Sequence, residues 1–277
     1  MRSGEAISEV EQKKMLLELL DIIIKRCEEK NYTYMLFWGT LLGAIRHHGM
    51  IPWDDDIDIA MPREDYEKFK ADVLKNPLAE NISFCDYEHP VGNFYPYCMG
   101  KIGRSDTIIH HEMFAEKYET FLSIDVFPLD TVADDKVEFD KFRMENDRIM
   151  KSVSGCIYRP NREERNLIHY ILAFIRVRLR FLFKYDKLMR KRLGLIDRST
   201  KNDSETIAVP TNVNSRGIGL RFSKKSIEVK KAEFDGRMVN IPVGYDEILT
   251  KTFGDYMELP PEEERVSHHE YTETCWR

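Results

Sequence analysis

Asp56 and Asp58, separated by Ile57 and followed by Ile59, are the residues of this sequence whose spacing carries the clearest chemistry. Residues two apart on a strand point to one face, so both carboxylates converge on one hard cation while the two isoleucines anchor the opposite face. Two carboxylates that close repel each other unless a metal neutralises them. An all-oxygen set favours Mg2+ or Mn2+, ions that keep exchangeable waters a phosphate can replace. A calcium loop is the nearest competitor, because Asp54, Asp56 and Asp58 occupy its positions 1, 3 and 5. That template then fails, with Ile59 where glycine is required and Asp65 where glutamate is expected.

A third carboxylate, Asp125, interrupts the apolar run from Phe121 to Phe127. A carboxylate buried alone in such a strand costs several kcal/mol, so it needs a partner. A metal shared with Asp56 and Asp58 is one answer; an exposed strand edge or a structural pair with an arginine is the other. Gly39-Thr40 follows a short apolar run and precedes a helical pattern, which places free backbone N–H groups and a positive helix end where an anionic phosphate could bind.

The elements that must position these groups follow from periodicity. Leu16, Leu17, Leu19, Leu20, Ile23, Ile24 and Cys27 recur at helical spacing within residues 10–29. A buried strand is predicted over 34–38, a turn at Gly39-Thr40, a short helix over 41–45, and a half-buried strand over 56–61 that ends at Pro62. A helix over 64–74 and strand-like runs over 82–87, 95–102 and 121–127 complete a first half in which strands and helices share one sheet. Long helices are expected over 136–153 and 163–193, a hairpin around Asp235-Gly236, and a last helix over 245–253. The fold class is therefore α/β (α+β): a mixed sheet core flanked by helices, with an added helical region. Residues 1–135 form the catalytic core, 136–200 the helical region, and 201–277 a segment that completes the site.

Composition removes several function classes. The 42 basic and 48 acidic residues give a formal net charge of −6, so no general basic field points to nucleic acid. The five cysteines, Cys27, Cys85, Cys98, Cys156 and Cys275, contain no C-x-x-C pair, which argues against a disulfide framework and a zinc ribbon and for a reducing cytoplasm. The first 14 residues lack the apolar run of a secretory signal, and no segment reaches the roughly 20 apolar residues of a membrane span. The paired histidines His47-His48, His110-His111 and His268-His269 suggest polar contacts rather than zinc, since adjacent histidines seldom ligate one ion. The stretch 165–192 carries nine Lys and Arg residues against Asp186 alone. It reads as a solvated helix face or as a peripheral dock on an anionic membrane.

A Gly-Thr turn after a strand, an Asp-x-Asp strand and a later single-Asp strand resemble the nucleotidyltransferase superfamily. The closer resemblance is to the LicD family of phosphotransferases, which includes bacterial phosphocholine transferases and fukutin-related enzymes. It rests on Phe37-Trp38-Gly39-Thr40-Leu41-Leu42-Gly43-Ala44-Ile45-Arg46, on Gly49-Met50-Ile51-Pro52-Trp53 running into the aspartates, and on Lys101-Ile102. Ile124-Asp125-Val126-Phe127-Pro128-Leu129-Asp130 and the tail from Gly254-Asp255-Tyr256-Met257 to Pro260-Pro261 extend it. The stretch from Gly39 to Asp56 is longer than usual for the superfamily and ordinary for LicD proteins.

The resemblance implies a nucleotidyltransferase-like core and transfer of a phosphoalcohol, most often phosphocholine, from CDP-choline or another CDP-alcohol to a hydroxyl of a surface glycan precursor of teichoic acid or lipopolysaccharide type. CMP would leave. Asp56, Asp58 and Asp125 would hold the metal, and Asp125 is equally placed to accept the sugar proton. Gly39, Thr40, Arg46 and Lys101 would contact phosphate, His268 would touch substrate, and Trp53, Tyr95 and Tyr97 would form a cage for a quaternary ammonium. A lipid-linked acceptor would place the enzyme on the inner membrane face. Two rivals use the same residues: a nucleotidyltransferase that moves the nucleotide itself, and a noncatalytic calcium-binding module.

Overall fold

In the computed structural model the described residues are 3–91, 95–111, 118–158, 167–178, 185–201, 203–212, 217, 219–266 and 273–277. Helix α1 (Glu9–Lys30) opens the chain, with Ser8 as its N-cap accepting from the Glu11 amide and Asn31 closing it in the left-handed conformation at φ 55. Its stripe of Leu16, Leu19, Leu20, Ile23, Ile24 and Cys27 is buried, which explains why the 3.6-residue period was legible.

The chain then runs through β1 (Met35–Leu36), α2 (Trp38–Arg46), β2 (Asp58–Pro62), α3 (Arg63–Lys75), β3 (Ile82–Cys85), β4 (Gly100–His111) and β5 (Tyr118–Val132). β2 runs parallel to β5, and β4 lies antiparallel on the other side of β5, so the main sheet has the order β1-β2-β5-β4 and ends in β10 (Thr274–Trp276). β3 adds to β4, while β6 (Thr206–Ala208) continues from the far end of β5 to β7 (Arg221–Ser223). The connection between the parallel strands β2 and β5 runs through helix α3 and then the antiparallel strands β3 and β4.

Strand β2 departs from the expected half-buried alternation. Ile57, Asp58, Ile59, Ala60 and Met61 are all buried, because β2 is an inner strand between β1 and β5 and both α2 and α3 pack on it. Regular pairing starts at Asp58, so Asp56 lies on the loop that feeds the strand. Helix α2 likewise begins earlier than predicted. Its first residue is Trp38, at φ 45, so Gly39-Thr40 forms the first turn of the helix instead of preceding it.

Helices α4 (Lys136–Ile157) and α6 (Tyr185–Ser199) pack on each other and, with Tyr95, Tyr118 and Phe121, build a second apolar cluster beside the main core. The single long helix expected over 163–193 is two elements among the described residues, α5 (Leu167–Arg178) and α6. Arg192, counted in the basic stretch, is buried: it donates to the Asn146 side chain at 3.0 Å and to the Asn212 carbonyl at 2.7 Å. An isolated guanidinium could not be buried, and these carbonyl acceptors are what make its position tenable.

The Asp235-Gly236 hairpin forms as predicted, between β8 (Val229–Phe234) and β9 (Arg237–Pro242), and α7 (Tyr245–Phe253) follows. Its turn has a structural task. The Asp235 amide donates to the His48 carbonyl and its carboxylate accepts from the Met50 amide at 2.9 Å, tying the hairpin to the loop that carries the aspartates. A Cβ on Gly49 would lie 2.5 Å from that same carboxylate, which is why glycine stands there. All five cysteines are free.

Candidate active site

Three adjacent strands present one polar row. Asp58 on β2 is the register partner of Asp125 on β5, and Asp125 is in turn the partner of Lys101 on β4. The Asp125 amide donates to the Ile57 carbonyl at 3.0 Å, and the Asp58 carbonyl accepts from Phe37, so the ladder holds both carboxylates by their backbones. The Thr40 hydroxyl accepts from the Asp58 amide at 2.8 Å. Thr40 is buried, and this bond gives it a positioning task at the start of β2.

The electrostatics of this row are unbalanced. Burial, followed by the charges of Asp56, Asp125 and Asp54, pushes the Asp58 carboxyl well above the usual carboxylate range, against a smaller opposing pull from Lys101. Lys101 forms a close ion pair with Asp125. Burial works against its ammonium, but the carboxylate of Asp125 outweighs that and holds Lys101 above its ordinary value. The lysine is therefore the resident counter-ion of the third aspartate.

Asp54, Asp56 and Asp58 line one wall of a cavity of about 630 Å³, with Gly39, Arg46 and Trp53 beside them. The rest of the lining comes from the end of α7 and the tail, with Phe253, Asp255, Tyr256, Glu258 and Pro260. Arg46 joins the two parts of the lining: its guanidinium donates to the carbonyls of Tyr256 at 2.9 Å and Glu258 at 3.1 Å. Gly254 leaves α7 at φ 77, a turn that points the tail back over the site. Arg265 donates to the Pro260 carbonyl at 2.9 Å and places its guanidinium 5.7 Å from the Trp53 ring centroid. The cavity thus sets five carboxylates, Asp54, Asp56, Asp58, Asp255 and Glu258, against Arg46.

Such a cavity repels a phosphate unless a cation enters first. The donor set is all oxygen, and the carboxylates of Asp54, Asp55 and Asp56 lie within 4.8 Å of one another, which fits a hard divalent ion such as Mg2+ or Mn2+. A second acidic group, Asp86, Glu88 and His89, lies elsewhere and is already bridged by Lys70, which pairs with both Asp86 and Glu88.

The structure gathers some of the predicted site residues and separates others. Gly39, Arg46, Trp53, Asp56 and Asp58 share the cavity. Asp125 and Lys101 stand next to Asp58 in the sheet, not on the cavity lining. Trp53, Tyr95 and Tyr97 do not meet as one cage: Trp53 stands edge-on to His47 at the cavity, whereas Tyr95 packs edge-on against Tyr97 in the second apolar cluster. Tyr95 is 1 % exposed, so its ring face has no room for a ligand. His268 lies outside the described residues. His110 pairs with Glu119 and His111 with the Thr120 hydroxyl, the polar contacts expected of them.

Asp54, Asp255, Glu258 and Arg265 are the groups the sequence did not single out. Asp54 belonged to the acidic run and the tail to a family-like motif, but nothing local marked Arg265. Gly39 shows what Asp54 requires: a Cβ there would lie 2.8 Å from its Oδ2. Gly39→Ala is expected to push that carboxylate aside at little cost to stability, because the end of one side chain can move. The outcome is a fall in kcat/KM of about tenfold with an unfolding temperature close to wild type, read by steady-state kinetics and calorimetry.

Comparison with known proteins shows the family. The family model described as "LicD/FKTN/FKRP, nucleotidyltransferase domain" matches residues 31–93, the segment from β1 through the aspartates to the loop after β3. The chain belongs to the LicD family and is a transferase. Among its relatives is the "Lipopolysaccharide cholinephosphotransferase LicD" of Haemophilus influenzae, 32% identical over 271 residues that cover 94% of this chain and 95% of the relative. Uncharacterized proteins of Rickettsia typhi and Rickettsia prowazekii match shorter segments, 50% identical over 42 residues and 54% over 37.

Proposed function

We propose that this protein transfers phosphocholine, or a similar phosphoalcohol, from a CDP-alcohol donor to a hydroxyl of a cell-surface glycan precursor, releasing CMP. The observation that carries this reading is the carboxylate excess of the cavity, which suits an anionic diphosphate only with a divalent cation beside it. The full-length similarity to the Haemophilus influenzae lipopolysaccharide cholinephosphotransferase supports lipopolysaccharide as the acceptor class; a teichoic acid acceptor offers the same hydroxyl chemistry.

Asp56 and Asp58, with Asp54, would hold Mg2+ or Mn2+ in the cavity, and Asp125, behind the lining on β5 and paired with Lys101, would join the set by trading that lysine for the ion. When bound, the ion supplies charge stabilisation at the diphosphate and aligns it for in-line displacement. The first turn of α2 presents backbone N–H groups without a side-chain cap, at Gly39 on the cavity wall, to the phosphate oxygens. Arg46 holds the tail closed over the donor through the Tyr256 and Glu258 carbonyls. The acceptor oxygen attacks the phosphorus that carries the alcohol, its proton passes to a neighbouring carboxylate, and the bond to CMP breaks. Trp53 carries the Arg265 guanidinium 5.7 Å from its ring centroid, so a trimethylammonium would take the other face of the ring. The five free cysteines suit a cytoplasmic setting, and a lipid-linked acceptor would bring the reaction to the inner membrane face.

The test is incubation with CDP-choline, delipidated lipopolysaccharide oligosaccharide and Mg2+, followed by analysis of nucleotide products. CMP and a phosphocholine-bearing oligosaccharide are expected, and EDTA should abolish both. Transfer of CMP to the acceptor would establish nucleotidyl transfer instead. Metal binding without turnover of any nucleotide donor would leave only the calcium module.

A further inference from the structure

Helix α5 (Leu167–Arg178) carries an apolar face that points outward. Ile168, Ile171, Leu172 and Ile175 recur at the i, i+3, i+4, i+7 spacing of a single helix face, and they are 71, 46, 58 and 45 % exposed. Four large aliphatic residues in one row on solvent mark a surface built to be covered.

Charge identifies what covers it. Although the chain is net acidic, the stretch 165–191, leaving out the buried Arg192, holds eight Lys and Arg residues against Asp186. Arg176 and Arg178 sit on the last turn of α5 itself, and Lys187 and Arg190 are exposed on α6 next along the chain, where Lys191 pairs with Glu145. A second copy of the chain would bring like charge against like charge. A bilayer of anionic phospholipid offers both an apolar layer for the isoleucines and leucine and negative headgroups for the cations. At 12 residues α5 is roughly 18 Å long, too short to cross a hydrocarbon core of about 30 Å, and no helix among the described residues is long and apolar enough to span a membrane. An in-plane contact is the geometry left.

We propose that α5 is an interfacial anchor that lays its Ile168-Ile171-Leu172-Ile175 face into an anionic membrane surface, with Arg176 and Arg178 on the same helix and Lys187 and Arg190 on α6 next along the chain. The anchor would keep the cavity at the surface where a lipid-linked acceptor is presented. For that purpose alone it rests on the proposed acceptor; its physical basis is independent of the donor and of the metal.

Co-sedimentation with vesicles of phosphatidylglycerol and phosphatidylethanolamine, against vesicles of phosphatidylcholine alone, tests this with the full chain. Binding to the anionic vesicles is expected to exceed binding to the neutral ones by about tenfold at low salt and to fall as salt rises. Leu172→Glu/Ile175→Glu should lower it by at least about tenfold, with unchanged circular dichroism and unchanged turnover on the delipidated oligosaccharide. Arg176→Glu/Arg178→Glu should weaken anionic binding while leaving the apolar face intact. Absent vesicle binding, equal binding to both compositions, or wild-type binding by the Glu double variant would overturn the anchor. Self-association that Leu172→Glu/Ile175→Glu abolishes, without vesicle binding, would give the face to a second copy and overturn it too. In each of these cases CMP release with the soluble acceptor still reports on the transferase reading separately.

Discussion

Replacing Asp58 by asparagine should lower kcat by roughly a thousandfold or more, because a metal-held carboxylate in phosphoryl transfer supplies several kcal/mol and each 1.36 kcal/mol is a factor of ten. The same substitution should not harm the fold. Asparagine has the same shape, and the Asp58 amide keeps its bond to Thr40. In metal-free protein the unfolding temperature should stay level or rise, since burial and the charges of Asp56, Asp125 and Asp54 disfavour the ionised Asp58. The sign follows from linkage: a carboxyl raised above its unfolded value stabilises at low pH and loses that contribution as pH rises through its folded range. The advantage of Asp58→Asn should therefore appear at neutral pH and vanish in acid. Mg2+ adds a second readout. Bound to the native state alone, at a hundredfold excess over its dissociation constant it stabilises by about 2.7 kcal/mol. Wild type should show that gain by calorimetry and Asp58→Asn should lose most of it. Retained turnover, or a full metal-induced shift in the variant, would remove Asp58 from the metal set.

Lys101→Met should be the most destabilising single change near the site. The Lys101 and Asp125 side chains are 17 and 13 % exposed and form an ion pair. Removing the lysine leaves Asp125 beside Asp58 with no cation, and breaking a buried pair from one side costs about 3 kcal/mol or more. In a domain of this size that corresponds to a fall of roughly 6–10 °C in unfolding temperature. Asp125→Asn combined with Lys101→Met removes both charges and should recover more than half of the loss, a coupling that a double-mutant cycle reads directly. Activity should stay low in the single variants and in the double, because the third carboxylate is gone or displaced in each. Additive losses would show that the two side chains act independently and that Asp125 has another counter-ion.

The two effects differ in origin, and so did their visibility. Asp58 was legible because an i, i+2 pair of aspartates among isoleucines is a local pattern, although only Asp58 falls on the strand and Asp56 reaches the cavity from the loop before it. The amphipathic α1 and the Asp235-Gly236 turn were legible for the same reason. Lys101 was visible only as part of a family-like motif. Its contact with Asp125 spans 24 residues of sequence and depends on the register of β4 against β5. Thr40 read as a phosphate contact, yet its hydroxyl is occupied by the Asp58 amide, a bond formed from a helix α2 that starts three residues earlier than its apolar period suggested. Propensity could not foresee Trp38 at a positive φ, where its ring meets Phe37 and Phe127 edge-on.

What the amino-acid order determined by itself was therefore the chemistry on offer: carboxylates in an Asp-x-Asp pattern, a glycine-threonine step at a helix start, and a mixed α/β chain of the LicD kind. Tertiary structure alone decided which groups share a space. It put Asp58, Asp125 and Lys101 in one row across β2, β5 and β4, sent Tyr95 and Tyr97 into the second apolar cluster, and folded residues 253–261 into a wall pinned by Arg46 from more than 200 positions away. Periodicity is a property of a few consecutive residues, whereas register and wall closure are set by which buried faces fit together, and that information is spread over the whole chain.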